Sequence, residues 1–190
     1  MNTPAHILLN LLCLGRNRSA SLVTPVAVGG VLPDAPMFVF YFVEKLIRGS
    51  SEQYIWQQAY YQPHWQNFID VFNALPIMAF GFLLALWSGS QVGRLLFASM
   101  GLHVLGDLPL HHDDGHRHFF PFSNWRFESP ISYWDPKHYG GVVTRLEILA
   151  VLICCVVLFR HYKSLKSRIA LGTVGILYGI YFAYVFAVWA

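Results

Sequence analysis

The sequence predicts an all-α membrane protein, a polytopic helix bundle of about five spans with a short helix ahead of them. Three observations carry that prediction. Residues 71–93 and 169–190 contain no charged side chain, and each run exceeds the roughly 20 residues that cross a bilayer core. Hydrophobic residues make up 55% of the chain, where soluble domains hold about 45–50%. Further apolar runs at 19–43, 95–106 and 146–159 touch only one or two ionisable residues each. With 190 residues, no internal repeat and no low-complexity tract, residues 1–190 form one domain.

The elements follow in order. Pro4, placed after Thr3, suits the first turn of a helix over 4–14. That helix is too short to span alone, so it should pack against the bundle. No basic segment precedes the apolar stretch 7–15, which argues against a cleaved leader. A helix over 20–47 should break near Pro33 and Pro36. The connection 48–66, with Tyr54, Trp56, Tyr60, Tyr61 and Trp65, has the composition of a membrane–water interface. Spans follow at 67–88, where Pro76 should introduce a kink, and at 93–108. A polar and aromatic loop occupies 109–140, and spans at 141–160 and 168–189 close the chain. Cys13, Cys154 and Cys155 lie in apolar runs and read as small buried hydrophobes, not disulfides.

Basic residues set the expected orientation. Arg16, Arg18, Arg94, Arg160, Lys163, Lys166 and Arg168 crowd three short connections. The longer connections between them hold Lys45, Arg48, Arg117, Arg126 and Lys137. Short basic connections stay in the cytoplasm. The expected location is therefore the bacterial inner membrane, with 48–66 and 109–140 facing outward. The bilayer is the expected partner, and a net charge of +3 gives no sign of nucleic acid.

The chemistry concentrates in one stretch. Five of the nine histidines and three of the ten acidic residues fall within 103–118. An unpaired ionisable group at bilayer depth costs about 2.5–3.5 kcal/mol, so such a group needs a compensating partner. His103 and Asp107 are four apart and share a helix face. They either ligate a divalent ion or form a hydrogen-bonded pair between helices. In the run from His111 to His118, His111 is the candidate ligand, and His112, Asp114, His116 and His118 are candidates for support or proton transfer. On the expected topology His6, Asp70, Asp107 and this cluster share the outer level of the bundle, with His103 one turn deeper. Asp34 lies at the Pro-bracketed break, where it either caps the following helix or faces a site. Asp70 either belongs to that site or sits at a helix start, where the dipole favours a carboxylate.

His6, then Leu32-Pro33-Asp34, then His103-x-x-x-Asp107 resemble the LexA-regulated, membrane-bound, metal-dependent hydrolases over most of the chain. That family is in turn similar to zinc-dependent phospholipase C, which implies phosphoester hydrolysis. The family's middle motif, His-Arg followed by Thr-His-Ser, is matched here only at His64; the second histidine is absent and Asp70 is an approximate substitute. The resemblance implies one or two divalent metals, zinc first, held by His6, Asp34, Asp70, His103, Asp107 and His111. Asp114 and His116 would move protons at a metal-activated water. Arg117, Arg126 and His118 would hold an anionic, lipid-like substrate. His64, His112, Asp113, Asp135 and His138 are secondary candidates. The competing expectation is a metal-binding membrane protein or scaffold without catalysis.

Overall fold

The computed structural model describes residues 1–16 and 18–189, without the side chains of Phe186, Val188 and Trp189. Asn17, in the expected 15–19 connection, and Ala190 lie outside the described residues. All regular structure among the described residues is helical, with no strand. Helix α1 is Thr3–Gly15, with Pro4 in its first turn and Asn2, not Thr3, preceding it. Helix α2 (Ala20–Val31) and α3 (Ala35–Ile47) meet at a 54° bend around Pro33, where the sequence places the break. Helix α4 begins at Glu52–Tyr54 and continues through Ile55–Ala59, so much of the expected 48–66 loop is folded.

The third expected span is also divided. Helix α5 (Pro63–Asn73) and α6 (Leu75–Trp87) meet at 40°. The break falls at Ala74, which is extended (φ −84°, ψ 113°). Pro76 therefore sits in the first turn of α6, which it starts instead of kinking. Helix α7 is Gln91–Asp107, and Pro109 lies in the single tight turn, Leu108–Leu110, that follows it. Helix α8 (Gly140–His161) and α9 (Leu165–Trp189) complete the chain.

By length and composition α8 and α9 can each cross a bilayer, and the bent pairs α2–α3 and α5–α6 raise the number to four if each pair is one span. By these criteria the described residues hold two to four candidate spans, against the five or so expected. The 17 residues of α7 rise only about 26 Å, short of a core about 30 Å thick.

Side chains from α1, α2, α7, α8 and α9 share the largest apolar core, including Ala5, Leu8, Val26, Ile148, Val151 and Leu158. A second cluster around Phe40, Ile55, Trp65 and Ile69 joins α3, α4 and α5. All three cysteines are free; Cys154 and Cys155 are buried, whereas Cys13 is exposed, contrary to expectation. Gly29 and Gly30 let α2 lie against two neighbours at once. A Cβ on Gly29 would stand 2.5 Å from the Leu96 carbonyl oxygen on α7, and one on Gly30 would stand 3.0 Å from the Ile7 Cα on α1. Buried polar groups cross the same contact. Asn10 Nδ2 donates to Ser99 O and Oγ at 2.8 Å, and the Ser99 hydroxyl donates to Val26 O at 2.6 Å. Small residues and interhelical hydrogen bonds are how helices associate where lipid removes the hydrophobic drive.

At one end of the bundle the basic connections adjoin. The Tyr162 hydroxyl donates to Gly15 O at 3.1 Å, and Arg18 and Arg94 line one shallow cavity. The histidine-rich segment lies beyond the opposite end of α7. Gly29→Ala should force α2 away from a backbone oxygen that cannot yield, lowering stability by about 1–3 kcal/mol. A melting temperature in detergent equal to wild type would refute this close-contact role.

Candidate metal centre

Two helices and one loop bring their polar side chains to Asp107, at the last residue of α7. Its carboxylate is buried, the residue being 4% exposed. Oδ1 lies 2.9 Å from His6 Nε2 on α1 and 3.6 Å from His111 Nε2. Oδ2 lies 3.2 Å from His103 Nε2, one helical turn earlier. The amino group of Met1 also contacts Oδ1. His6 and His103 stack with ring centroids 3.5 Å apart and planes 13° apart. Their ligand atoms and an Asp107 oxygen all lie within 4.8 Å of one another, the arrangement that could hold a metal ion.

The tautomer of His103 is set by its other nitrogen. Nδ1 lies 2.9 Å from Gly30 O; a carbonyl only accepts, so Nδ1 carries the proton. In the neutral ring Nε2 is then a lone pair. That nitrogen is buried and has no hydrogen-bond partner. It lies 3.2 Å from Asp107 Oδ2 and 3.5 Å from Asp34 Oδ1, close but out of line for a hydrogen bond. Ligands about 2.0–2.2 Å from a tetrahedral ion stand about 3.3–3.6 Å apart, so these spacings fit a shared cation. A histidine whose second nitrogen donates to a backbone carbonyl is also the usual companion of a metal bond.

Asp34 faces this group. Its carboxylate makes no capping bond to α3; Oδ2 accepts from the Thr3 hydroxyl at 2.5 Å and Oδ1 points toward His103. The carboxylate therefore does not cap α3 and is turned toward His103. A chamber of about 80 Å³ adjoins, lined by Asp34, Asp107, His111, Asp114, His116 and Tyr133 among others, with room for water. His111 Nδ1 stands 3.0 Å from Asp114 Oδ1, yet both atoms lack an aligned partner, as does His116 Nδ1. Burial opposes charge on His111, but Asp107 and Asp114 outweigh it and hold the imidazole up at about 9. Burial likewise works against the Asp114 carboxylate; His111 and the Trp134 N–H more than compensate and bring its pKa down.

Asp70 stands apart from the His6 group. Helix α5 starts seven residues earlier, at Pro63, so Asp70 is not at a dipole terminus either. Its fully buried carboxylate accepts from Arg117 Nε at 2.5 Å and from the Arg117 backbone N–H at 3.2 Å, with Arg126 at 3.6 Å and His116 Nδ1 at 3.5 Å. An aspartate bound to two guanidinium groups is an ion-pair anchor, which is why the geometry does not bring it to the His6, His103 and Asp107 group. The same contacts occupy the arginines expected to hold substrate. Arg117 also donates to Asn67 and Asn124, and Arg126 to Gln66 and the Gly115 carbonyl.

The remaining candidates fall into place around the loop. His118 Nδ1 donates to Asn73 O at 3.2 Å while its own carbonyl accepts from Leu75 N at 2.9 Å, so it satisfies backbone groups freed at the Ala74 break. His112 Nδ1 donates to Ser129 O at 2.6 Å and its ring stacks on His138 at 3.6 Å. His138 is bound to Asp135 at 2.6 Å. Asp113 is exposed, and His64 is exposed beside Trp65, away from the centre. Gly30, Thr3, Tyr60 and Tyr133 adjoin the site without having been named as site residues from the sequence.

No protein-family model, no curated protein and no solved structure matches this chain.

Arg117→Ala separates an anchoring role from a substrate role. It strands the buried Asp70 carboxylate, which should cost about 3 kcal/mol or more, and should open 109–140 to protease. Unchanged melting temperature and protease resistance would restore Arg117 to substrate binding.

Proposed function

We propose that the chain is a membrane-embedded, metal-dependent hydrolase acting on a phosphoester or other ester bond of a lipid-like substrate. The observation that carries this reading is His103 Nε2, a buried lone pair with no hydrogen-bond partner, between the carboxylates of Asp34 and Asp107. Burying a polar atom unpaired is costly, and a divalent ion removes that cost. The donor set of imidazole and carboxylate suits zinc. The resemblance to the LexA-regulated hydrolases supports the same assignment.

His6, His103 and Asp107 would hold the ion, with Asp34 and His111 beside it. When bound, the ion would supply a Lewis acid and a water of lowered pKa. Gly30 keeps the His103 lone pair turned inward. Asp114, which lines the adjoining chamber with Oδ1 beside His111 but in no aligned hydrogen bond, is placed to accept a proton there. His116 faces the same chamber and would pass the proton on. The loop 109–140 covers the chamber, with Tyr133 forming part of its wall.

In the membrane the reading places α7 as a fifth, short crossing and sets the basic connections in the cytoplasm of a bacterial cell. The site then faces outward. In a Cys13→Ser background, Phe122→Cys, which is 83% exposed in the unmodified protein, should react with an impermeant maleimide on intact spheroplasts. Reaction only after lysis would reverse the orientation.

Asp107→Asn tests the chemistry. It preserves shape but offers a neutral, poorer ligand. Metal per protein should fall severalfold, and hydrolysis of a lipid-phosphate and lipid-ester panel should be lost, with the helical signal retained. Wild-type protein that stays metal-free after purification with zinc, manganese or magnesium would overturn the reading. Bound metal with no hydrolysis of any panel member would leave the non-catalytic metal-binding protein.

A further inference from the structure

A second, larger cavity opens beside the candidate metal chamber. It measures about 450 Å³, within the range of about 300–1,000 Å³ that small-molecule sites occupy. Met37, Tyr60, Asp114 and Tyr133 line both spaces, so the two adjoin. Otherwise its walls are Trp56, Tyr61 and Trp134 with Asp113. Five of its eight lining residues are aromatic, two are carboxylates, and none is a lysine or arginine.

The rings are inclined to one another. Trp56 and Tyr60 are tilted by 50° with centroids 6.4 Å apart, and Tyr60 and Tyr61 meet near edge-on at 5.1 Å. Such a wall is concave, not a flat stack. Both tryptophans are held at their N–H groups. Trp134 Nε1 donates to Asp114 Oδ2 at 3.0 Å, and Trp56 Nε1 donates to Glu52 Oε2 at 3.2 Å. Fixed rings lose little freedom when a ligand arrives.

The electrostatics select the ligand's sign. The exposed carboxylate of Asp113 has no hydrogen bond or ion pair among the described residues. Asp114 is already paired, with His111 Nδ1 3.0 Å from Oδ1 and the Trp134 N–H on Oδ2, so Asp113 is the carboxylate left free for a cation. Ring faces and carboxylates both attract cations, and tryptophan and tyrosine faces are the usual receptors for quaternary ammonium groups. A primary ammonium would need several acceptors in place of its hydration shell, here confined to the carboxylates and the tyrosine hydroxyls. A methylated ammonium is weakly hydrated and needs none.

We propose that this cavity is a binding site for a quaternary ammonium group. As a substrate subsite it rests on the hydrolase reading, and it then narrows the substrate to esters carrying such a cation near the scissile bond. As a binding site it stands without that reading.

The test uses the full chain in a maltoside detergent, with equilibrium dialysis of labelled tetramethylammonium. Binding should saturate, and choline should displace the label about tenfold better than its neutral isostere 3,3-dimethylbutan-1-ol, since only the cation gains from the rings and carboxylates. Asp113→Asn, an exposed and conservative change, should weaken binding about threefold or more, judged by the worth of one nearby charge. Trp56→Leu should weaken it further. Equal displacement by cation and isostere, absence of saturation, or full affinity in Asp113→Asn would overturn the proposal and leave the rings as interface anchors. Displacement by nanodiscs of phosphatidylcholine but not phosphatidylglycerol would identify a lipid head group as the source; displacement by soluble phosphocholine alone would identify a free ester. The same measurement on Asp107→Asn protein separates the two ideas. Retained binding there, with no hydrolysis in wild type, defeats the hydrolase and spares the ammonium site.

Discussion

A carboxylate withdrawn from water must be met by positive charge, by hydrogen-bond donors or by a metal, and Asp107 is the carboxylate around which this bundle is organised. His6 from α1, His103 from α7 and His111 from the loop all reach it within 3.6 Å. Because these residues come from sequence positions up to about a hundred apart, their convergence requires α1, α2 and α7 to pack closely at one level. The Gly29-Gly30 pair provides that approach, and the Gly30 carbonyl also orients His103. One residue pair thus serves both helix packing and the chemistry of the site.

The helix breaks belong to the same scheme. Non-helical backbone at membrane depth is tolerated where protein or a cavity satisfies its polar groups. Asn73 does this for both breaks, donating from Nδ2 to Pro33 O at 3.0 Å and to Ile69 O at 3.1 Å. His118 satisfies the groups freed around Ala74. The breaks free Asp34 to face His103 instead of capping α3, and they give the loop a place to dock.

The loop 109–140 is held by side chains and turns, since it carries almost no regular structure. Arg117 and Arg126 fasten it to Asp70 and Gln66 on α5. Further along, Ser129 N donates to His111 O, Tyr133 N to Leu110 O, and Ser132 N to His138 O. Its aromatic residues thereby become walls of two cavities. In this arrangement the cationic side chains tie the cover down, and the carboxylates and rings are left facing the enclosed space.

The sequence by itself determined the all-helical membrane class, the break at Pro33, the end of α7 before Pro109 and the pairing of His103 with Asp107. These follow from local rules: apolar run length, proline geometry and the four-residue helical repeat act between neighbours along the chain. It did not separate α5 from α6, because a proline reads alike whether it kinks a helix or begins one. Only the tertiary structure decided that Asp34 turns inward, that Asp70 is bound to Arg117 and stands clear of the His6 group, and that Gly30 sets the tautomer of His103. An aspartate has the same identity as ligand, cap or ion-pair partner; what distinguishes these roles is which distant group packs against it. The aromatic cavity beside the chamber at Asp107 was hidden for the same reason, since Trp56 and Trp134 come from segments that share no local pattern and line one space only because the loop folds over the bundle.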